Sequence, residues 1–400
     1  MTLTADEEQH SRAATALIRE RLVAAGGWLS FAEFMEWALY APGLGYYSAG
    51  SVKLGAGGDF VTAPEISDLF SRCVARQCAD VLAETGGEIL ELGAGTGRMA
   101  AAILESLAEI GNLPERYSIL EVSADLADRQ RARIAQLPGE LRDRVVWLEQ
   151  FPRKLIRGVI LANEVLDALP VQRFVIRDGR AYELGVGLAS AAGAAAVDDG
   201  ADSGDGGGHR NVGFAWREAP TEFAAAAATV SELRQPLPDG YVSEMCVRVD
   251  PWIAGVGQCL ERGALLLFDY GLPRAHYYHP QRVDGTLRCY FKQRAHDNPF
   301  INIGVQDITA WVDFTRVADA ALAAGLEITG FVTQAAFLLG TGIEAMTMAD
   351  DIATRVRLAG EARRLLMPGD MGESFKVMAL CRNLELPLCG FAHQDLRGSL

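Results

Sequence analysis

Four hundred residues exceed the usual size of one domain, so the chain is expected to form two units or one domain with large insertions. Half of the residues are hydrophobic and 22% are charged, which is enough apolar material for a sizeable core. The formal net charge of −15 weighs against nucleic acid as a partner, because a phosphate-tracking surface needs an excess of Lys and Arg.

The first ten residues, MTLTADEEQH, have neither the apolar segment of a secretory signal nor the arginines of a transit peptide. No apolar run reaches bilayer length, so the expectation is a cytoplasmic protein without membrane insertion. Residues 8–40 read as helix, interrupted at Gly26-Gly27-Trp28. A glycine-rich connection follows and ends in "GDFVTAPEIS"; its aromatic residues point to an ordered lid. Helix resumes from Ser67, closing an N-terminal helical region at 1–85.

From Glu88 the pattern alternates between strand and helix: "EILEL", "TGRMAAAILESLAEI", "YSILEV", then "SADLADRQRARIAQL" with Ser123 as its N-cap, then "VVWLE" and "GVILAN". This spacing implies parallel pairing with right-handed crossovers, over a first segment at 86–170. A β-rich insertion spans 171–249: a hairpin turning at Asp178-Gly179, an Ala/Gly/Asp-rich flexible loop at 189–211, and "VGFAWREA" returning to the hairpin. The second segment, 250–385, holds the strand "ALLLFDYG", a helix over 307–326 with Asp307 near its cap, and the strands "EITGFV" and "SFKVMALCR"; residues 386–400 are a tail. The seven cysteines are scattered, with no CxxC pair and no zinc spacing, so reduced thiols and no metal are expected.

The strongest chemical signal is "ILELGAGTGRMA". A strand ends at Leu92, and glycines recur at Gly93, Gly95 and Gly97 before a helix begins. Residues without Cβ atoms let the backbone approach a ligand closely, and the helix start offers unpaired N–H groups. The spacing is one residue short of the dinucleotide GxGxxG, and no Lys-Ser/Thr pair follows as in a P-loop. With Glu91 in front, the loop resembles motif I of the S-adenosyl-L-methionine (SAM) dependent methyltransferases. Glu121, at the end of the next strand, is placed to accept both ribose hydroxyls.

Blocks elsewhere extend the likeness: "SFAEFMEWALYAPGLGYY", "GDFVTAPEIS", "ANEVLDALPVQRF", "LLLFDYG", "GTLRCYFKQRAHDNPF" and "GVQDITAWVDFT". From about Phe31 to Arg382 the chain resembles the MidA family. The resemblance implies an α/β fold: a class I methyltransferase with a seven-stranded, mostly parallel, Rossmann-like sheet and extra segments. It implies SAM as cofactor and, from the mitochondrial member, symmetric dimethylation of an arginine on a complex I subunit. The acidic N-terminus then fits a bacterial cytoplasmic member.

Ligands of a parallel α/β sheet sit at the carboxyl ends of its strands. The glycine loop, Glu121, Asn163-Glu164 and Asp269-Tyr270 should therefore converge. Glu164 and Asp167 are three apart, which one helical turn would place on one face, and they are the candidate holders of an acceptor guanidinium. Asn163, Thr62 and Glu65 are candidate cofactor contacts, and Tyr46 and Tyr47 candidate pocket walls. The segment "RAHYYHP", with His276 and His279, suggests an aromatic substrate channel, and His296 a possible base at the surface. A small-molecule methyltransferase and a SAM-binding assembly factor are the competing readings. Oligomeric state is not legible in the residues.

Overall fold

The computed structural model describes residues 3–49, 62–189 and 213–400. The glycine-rich part of the expected lid, with Asp59, and the expected flexible loop from 190 onward lie outside the described residues.

Two helices open the chain, α1 (Ala5–Ala24) and α2 (Phe31–Tyr40). Each begins with a capping box, Thr4 with Glu7 and Ser30 with Glu33, which satisfies backbone N–H groups that a helix start leaves unpaired. Next come the short α3 (Ala63–Ile66) and α4 (Asp68–Thr85), the latter capped by Ser67. Strand β1 (Glu88–Leu92), α5 (Arg98–Ile110), β2 (Tyr117–Leu120), α6 (Ala124–Ile134), β3 (Val145–Leu148) and β4 (Ile156–Asn163) then alternate. Ser123 caps α6, accepting from the Leu126 N–H.

The insertion forms β5 (Gln172–Arg177), β6 (Arg180–Leu188), β7 (Phe214–Glu222) and β8 (Val242–Met245), in the order β7-β6-β5-β8. Its hairpin turns on Asp178 and Gly179, both with positive φ, as a two-residue turn of this hand requires. Beyond it lie β9 (Leu260–Leu272), a small antiparallel sheet of β10 (Arg288–Phe291), β11 (Arg294–His296) and β12 (Asp307–Thr309), then β13 (Val312–Asp313), β14 (Glu327–Thr333) and β15 (Phe375–Arg382).

The central sheet runs β3-β2-β1-β4-β9-β15-β14. Every pair is parallel except those made by β15, which is antiparallel to both neighbours. These seven strands form the mostly parallel class I methyltransferase sheet that the resemblance implies, and β13, paired beside β9, adds an eighth. Its middle strands are buried almost throughout, so they read as apolar runs rather than alternating patterns. One face packs under α4, α5 and helix Gln334–Gly340, the other under helices Val249–Cys259 and Phe314–Ala323. Helices α1 and α2 build a separate core with β6, β7 and residues around 287–310.

Gly158 marks a tight contact within the sheet. Its φ is +137°, and a Cβ there would stand 2.1 Å from the Glu88 carbonyl oxygen. Gly158→Ala is therefore expected to destabilise the fold by several kcal/mol, on the order of 3 or more. Thermal unfolding measures this, and an unchanged midpoint would refute it.

One expected element differs. Residues 307–313 form β12 and β13 instead of the first turns of a helix, because Val312 and Asp313 extend the sheet beside Gly271 and Leu272. The helix starts at Phe314, capped by Asp313, which accepts from the Thr315 and Arg316 N–H groups. The "RAHYYHP" segment is a packing element. Tyr277 and Tyr278 are buried, bonded to Thr286 and the Glu244 carbonyl, while His276 is exposed.

Candidate active site

Strand order reverses between β1 and β4, so the loops leaving their carboxyl ends diverge and open a crevice. The glycine loop lies on one side of it. Gly93, Gly95 and Gly97 all have positive φ (70°, 53° and 77°), so the alternate glycines follow from the backbone path itself. The loop borders a cleft of about 1130 Å³, lined also by Glu91, Glu121, Asn163, Glu164, Thr62 and Glu65.

Glu121 is held rigidly. Its Oε1 accepts from the Ser123 N–H at 2.9 Å and its Oε2 from Gln130 Nε2 at 2.8 Å. Gln130 also donates to the Gly95 carbonyl (3.0 Å) and accepts from the Trp147 indole (3.0 Å). This fully buried glutamine therefore ties the glycine loop to the acid of β2. Nothing local in its sequence signals that role, since its three partners sit on three separate segments of the chain. Gln130→Leu should weaken cofactor affinity by about tenfold by leaving three polar groups unpaired. Calorimetry with S-adenosyl-homocysteine (SAH) tests this, and undiminished affinity would refute the strut role. Glu91 is 1% exposed and accepts from the Tyr117 hydroxyl at 2.8 Å. Burial pushes its carboxyl up to about 7, with the Glu121 charge adding to the effect.

Short helix α3 closes the cleft from above. Thr62 precedes it and makes no capping bond with its side chain. Glu65 accepts from the Thr96 hydroxyl, and Arg98 donates to the Glu65 carbonyl (2.7 Å) and to Asp68 (2.8 Å). Glu65 is thus a strut between α3 and the loop, and Arg98 is a cationic cleft residue absent from the sequence-based candidates. Asn163 donates to Glu164 Oε1 at 3.3 Å, while its own Oδ1 is buried without a hydrogen-bond partner. These features fit SAM. Asn163 Oδ1 and Glu121 would supply acceptors, Arg98 a cation for its carboxylate, and Val122, Leu126 and Phe151 an apolar rim for its base.

The opposite side of the crevice belongs to Glu164. It follows the last residue of β4, has φ +52°, and extends the ladder by donating its N–H to the Phe268 carbonyl at 2.8 Å. Positive φ is uncommon outside glycine, and here it turns the carboxylate out of the sheet direction. No helix follows. Residues 164–170 are turn and irregular backbone, so Glu164 and Asp167 do not share a helical face. They meet instead across a second chamber of about 990 Å³, which Asp307, Tyr270, Tyr290 and Asp370 also line. Glu164 lines both cavities.

Asp167 is 5% exposed. Its Oδ2 accepts from the Tyr270 hydroxyl at 2.5 Å, and its Oδ1 is buried without a hydrogen-bond partner. Asp269 lines neither cavity. It accepts from the Leu166, Asp167 and Tyr270 N–H groups and so shapes the 166–167 turn. Burial pushes Glu164 up to about 8, helped by the Asp167 charge, and Asp167 up to about 6. Asp269 is raised as well, by burial and then by those two neighbours. Tyr47 lines the cofactor cleft, whereas Tyr46 is buried in the N-terminal core. His296 lies at neither cavity. Among the described residues no cluster of His, Cys, Asp and Glu is arranged to hold a metal, and no helix is long and apolar enough to cross a membrane.

Residues 73–332 match the model of a family described as "Putative S-adenosyl-L-methionine-dependent methyltransferase". The chain is 28% identical to the protein arginine methyltransferase NDUFAF7 homolog, mitochondrial, of Drosophila melanogaster, over 91% of this chain and 83% of that one. It is 26% identical to the protein arginine methyltransferase NDUFAF7, mitochondrial, of Danio rerio, over 94% and 91%. A Burkholderia thailandensis protein crystallised with bound S-adenosyl-homocysteine superposes with a TM-score of 0.91 at 36% identity, covering 100% of both chains. The fold, the glycine loop with its acidic neighbours, and these relatives agree, and the chain belongs to the MidA family of SAM-dependent methyltransferases.

Proposed function

We propose that the enzyme is a protein arginine N-methyltransferase, with Glu164 and Asp167 holding the acceptor guanidinium. The observation that carries this reading is that one carboxylate, Glu164, lines both the cofactor cleft and an adjoining acid-lined chamber. Bound SAM supplies an electrophilic methyl group. The chain's part is to bring a nucleophile to it, align the two and exclude water, which together can contribute up to about 7–11 kcal/mol.

An arginine side chain is a poor nucleophile because it stays protonated and its charge is delocalised. Glu164 meets that cation at the boundary with the cleft. Paired there, the charge is drawn toward the bonded N–H groups, and the lone pair of the nitrogen facing the cleft becomes more available. Asp167, through its buried and unpartnered Oδ1, supplies a second acceptor deeper in the chamber. The names of the relatives, protein arginine methyltransferases, support a protein acceptor. Symmetric dimethylation, a respiratory complex I subunit or similar protein as acceptor, and action in a bacterial cytoplasm belong to the same proposal through the family resemblance.

The test supplies purified enzyme with methyl-labelled SAM and the proteins of a strain lacking the gene. Acid hydrolysis of labelled protein should release methylated arginine, with the symmetric dimethyl form dominant. Label confined to small molecules would replace this reading with that of a small-molecule methyltransferase.

A further inference from the structure

We infer that Asp307 is a specificity-determining residue of the acceptor chamber, and that Tyr47 and Tyr40 tie its position to the cofactor cleft. The inference rests on the arginine reading above. Asp307 is 1% exposed and comes from β12, far in sequence from the turn that carries Glu164 and Asp167. The Tyr47 hydroxyl donates to its Oδ1 at 3.0 Å, and the Ile308 N–H donates to the same oxygen at 2.9 Å. These two donors fix the position of the carboxylate in the lining of the second chamber.

The Tyr47 ring stacks on Tyr40, with centroids 5.4 Å apart and planes 22° from parallel. Tyr40 in turn donates to the Ala168 carbonyl at 2.9 Å, next to Asp167. Both tyrosines line the cofactor cleft, whereas Asp307 lines the second chamber. Two routes therefore join the cavities: Glu164 directly, and the Tyr40–Tyr47–Asp307 chain. Burial keeps the Tyr47 hydroxyl well above its ordinary pKa, so it remains a donor throughout the working range.

The chemistry follows from the shape of the acceptor. A guanidinium is a plane with donors along three edges, and carboxylates on separate elements fix that plane. A lysine ammonium is a compact, strongly hydrated charge that is attracted to the carboxylates but cannot bridge them with a rigid planar fork. Asp307 thus separates arginine from lysine, and Tyr40 and Tyr47, which line the cofactor cleft, would pass the effect of a bound cofactor to it.

Calorimetry on the full chain tests this with two probes, Nα-acetyl-arginine methylamide and its lysine counterpart, with and without SAH. The wild type should bind the arginine probe about tenfold or more tightly than the lysine probe, and more tightly with SAH present. Asp307→Asn should erase that preference while keeping SAH affinity, and Tyr47→Phe should erase the dependence on SAH. A preference unchanged in Asp307→Asn overturns the inference and leaves the arginine reading standing. Loss of SAH affinity in Asp307→Asn also overturns it, by showing that the residue merely supports the fold. A wild type that ignores the arginine probe with SAH bound overturns the arginine reading itself.

Discussion

Glu164→Gln should lower acceptor kcat/KM by about 100- to 1000-fold and change SAH affinity by no more than about threefold. The substitution keeps the size and one acceptor oxygen but removes the negative charge where an acceptor cation meets the cofactor cleft. Hydrogen bonds between charged partners are roughly twice as strong as neutral ones, and a site shielded from water magnifies the difference. The pH profile carries a second signature. In the free enzyme burial raises the Glu164 carboxyl to about 8, so below that pH most molecules hold a protonated acid that cannot pair with a cation. Acceptor kcat/KM reports the enzyme before the acceptor binds and should climb with pH through the Glu164 titration, at or below about 8 once SAM places its positive sulfur nearby, then level off. In the variant this limb should disappear, leaving only the rise set by Asp167 near 6.

Stability should move in the opposite direction. An acid whose folded-state pKa is raised contributes most at low pH, and that contribution is lost as pH rises through the folded value. Glu164→Gln should therefore unfold at a higher temperature than wild type at pH 9, with the advantage fading toward pH 4. A variant with full activity, or with the wild-type pH limb intact, would remove Glu164 from the acceptor site.

Gly95→Val should lower SAH affinity by at least about 100-fold. Two effects act together. The backbone at Gly95 has φ +53°, which a β-branched residue adopts only with strain of about 1–3 kcal/mol. The added methyl groups also intrude where the loop borders the cleft. Gly95→Ala separates the effects, because alanine tolerates this φ more easily than valine and projects only one carbon. Its affinity should fall between the two. The Gly95 carbonyl accepts from Gln130, so a shift of this residue also disturbs the strut that holds Glu121. Calorimetry with SAH, paired with thermal unfolding to confirm that the variants fold, decides the matter. Retained affinity in the valine variant would place the cofactor elsewhere.

These expectations differ in how far the residues alone could reveal them. The glycine loop was legible because its geometry is local: three positive-φ positions, a strand before and a helix after. The central strands were legible because buried parallel strands appear as apolar runs. The helix expected to start at Asp307 failed because sheet pairing of Val312 and Asp313 overrides local propensity, and no local pattern shows that pairing. Residue type and spacing single out the Glu164–Asp167 pair, but not its geometry. A turn with one left-handed residue brings both acids to a common chamber, where a helical face had been expected. Gln130 and Arg98 were missed because each makes its important contacts with loops distant in sequence. Tyr277 and Tyr278 pack in a buried cluster, since aromatic residues near a strand end serve packing as well as binding.

On the proposed arginine reading, the crowding of Glu164, Asp167 and Asp269 makes acceptor capture a proton exchange. Near neutral pH, with acceptor absent, burial and mutual repulsion leave part of this cluster protonated. An arriving cation stabilises the ionised forms, so protons must depart into solvent as it enters. The measured binding heat should then vary with the ionisation enthalpy of the buffer, and the slope across two buffers counts the protons released. A slope of zero would show that the cluster does not change its protonation when the acceptor arrives. In the proposed reaction the N–C bond forms as the S–C bond of SAM breaks, and the attacked nitrogen gives up one proton to solvent, so the methylated guanidinium keeps a single positive charge.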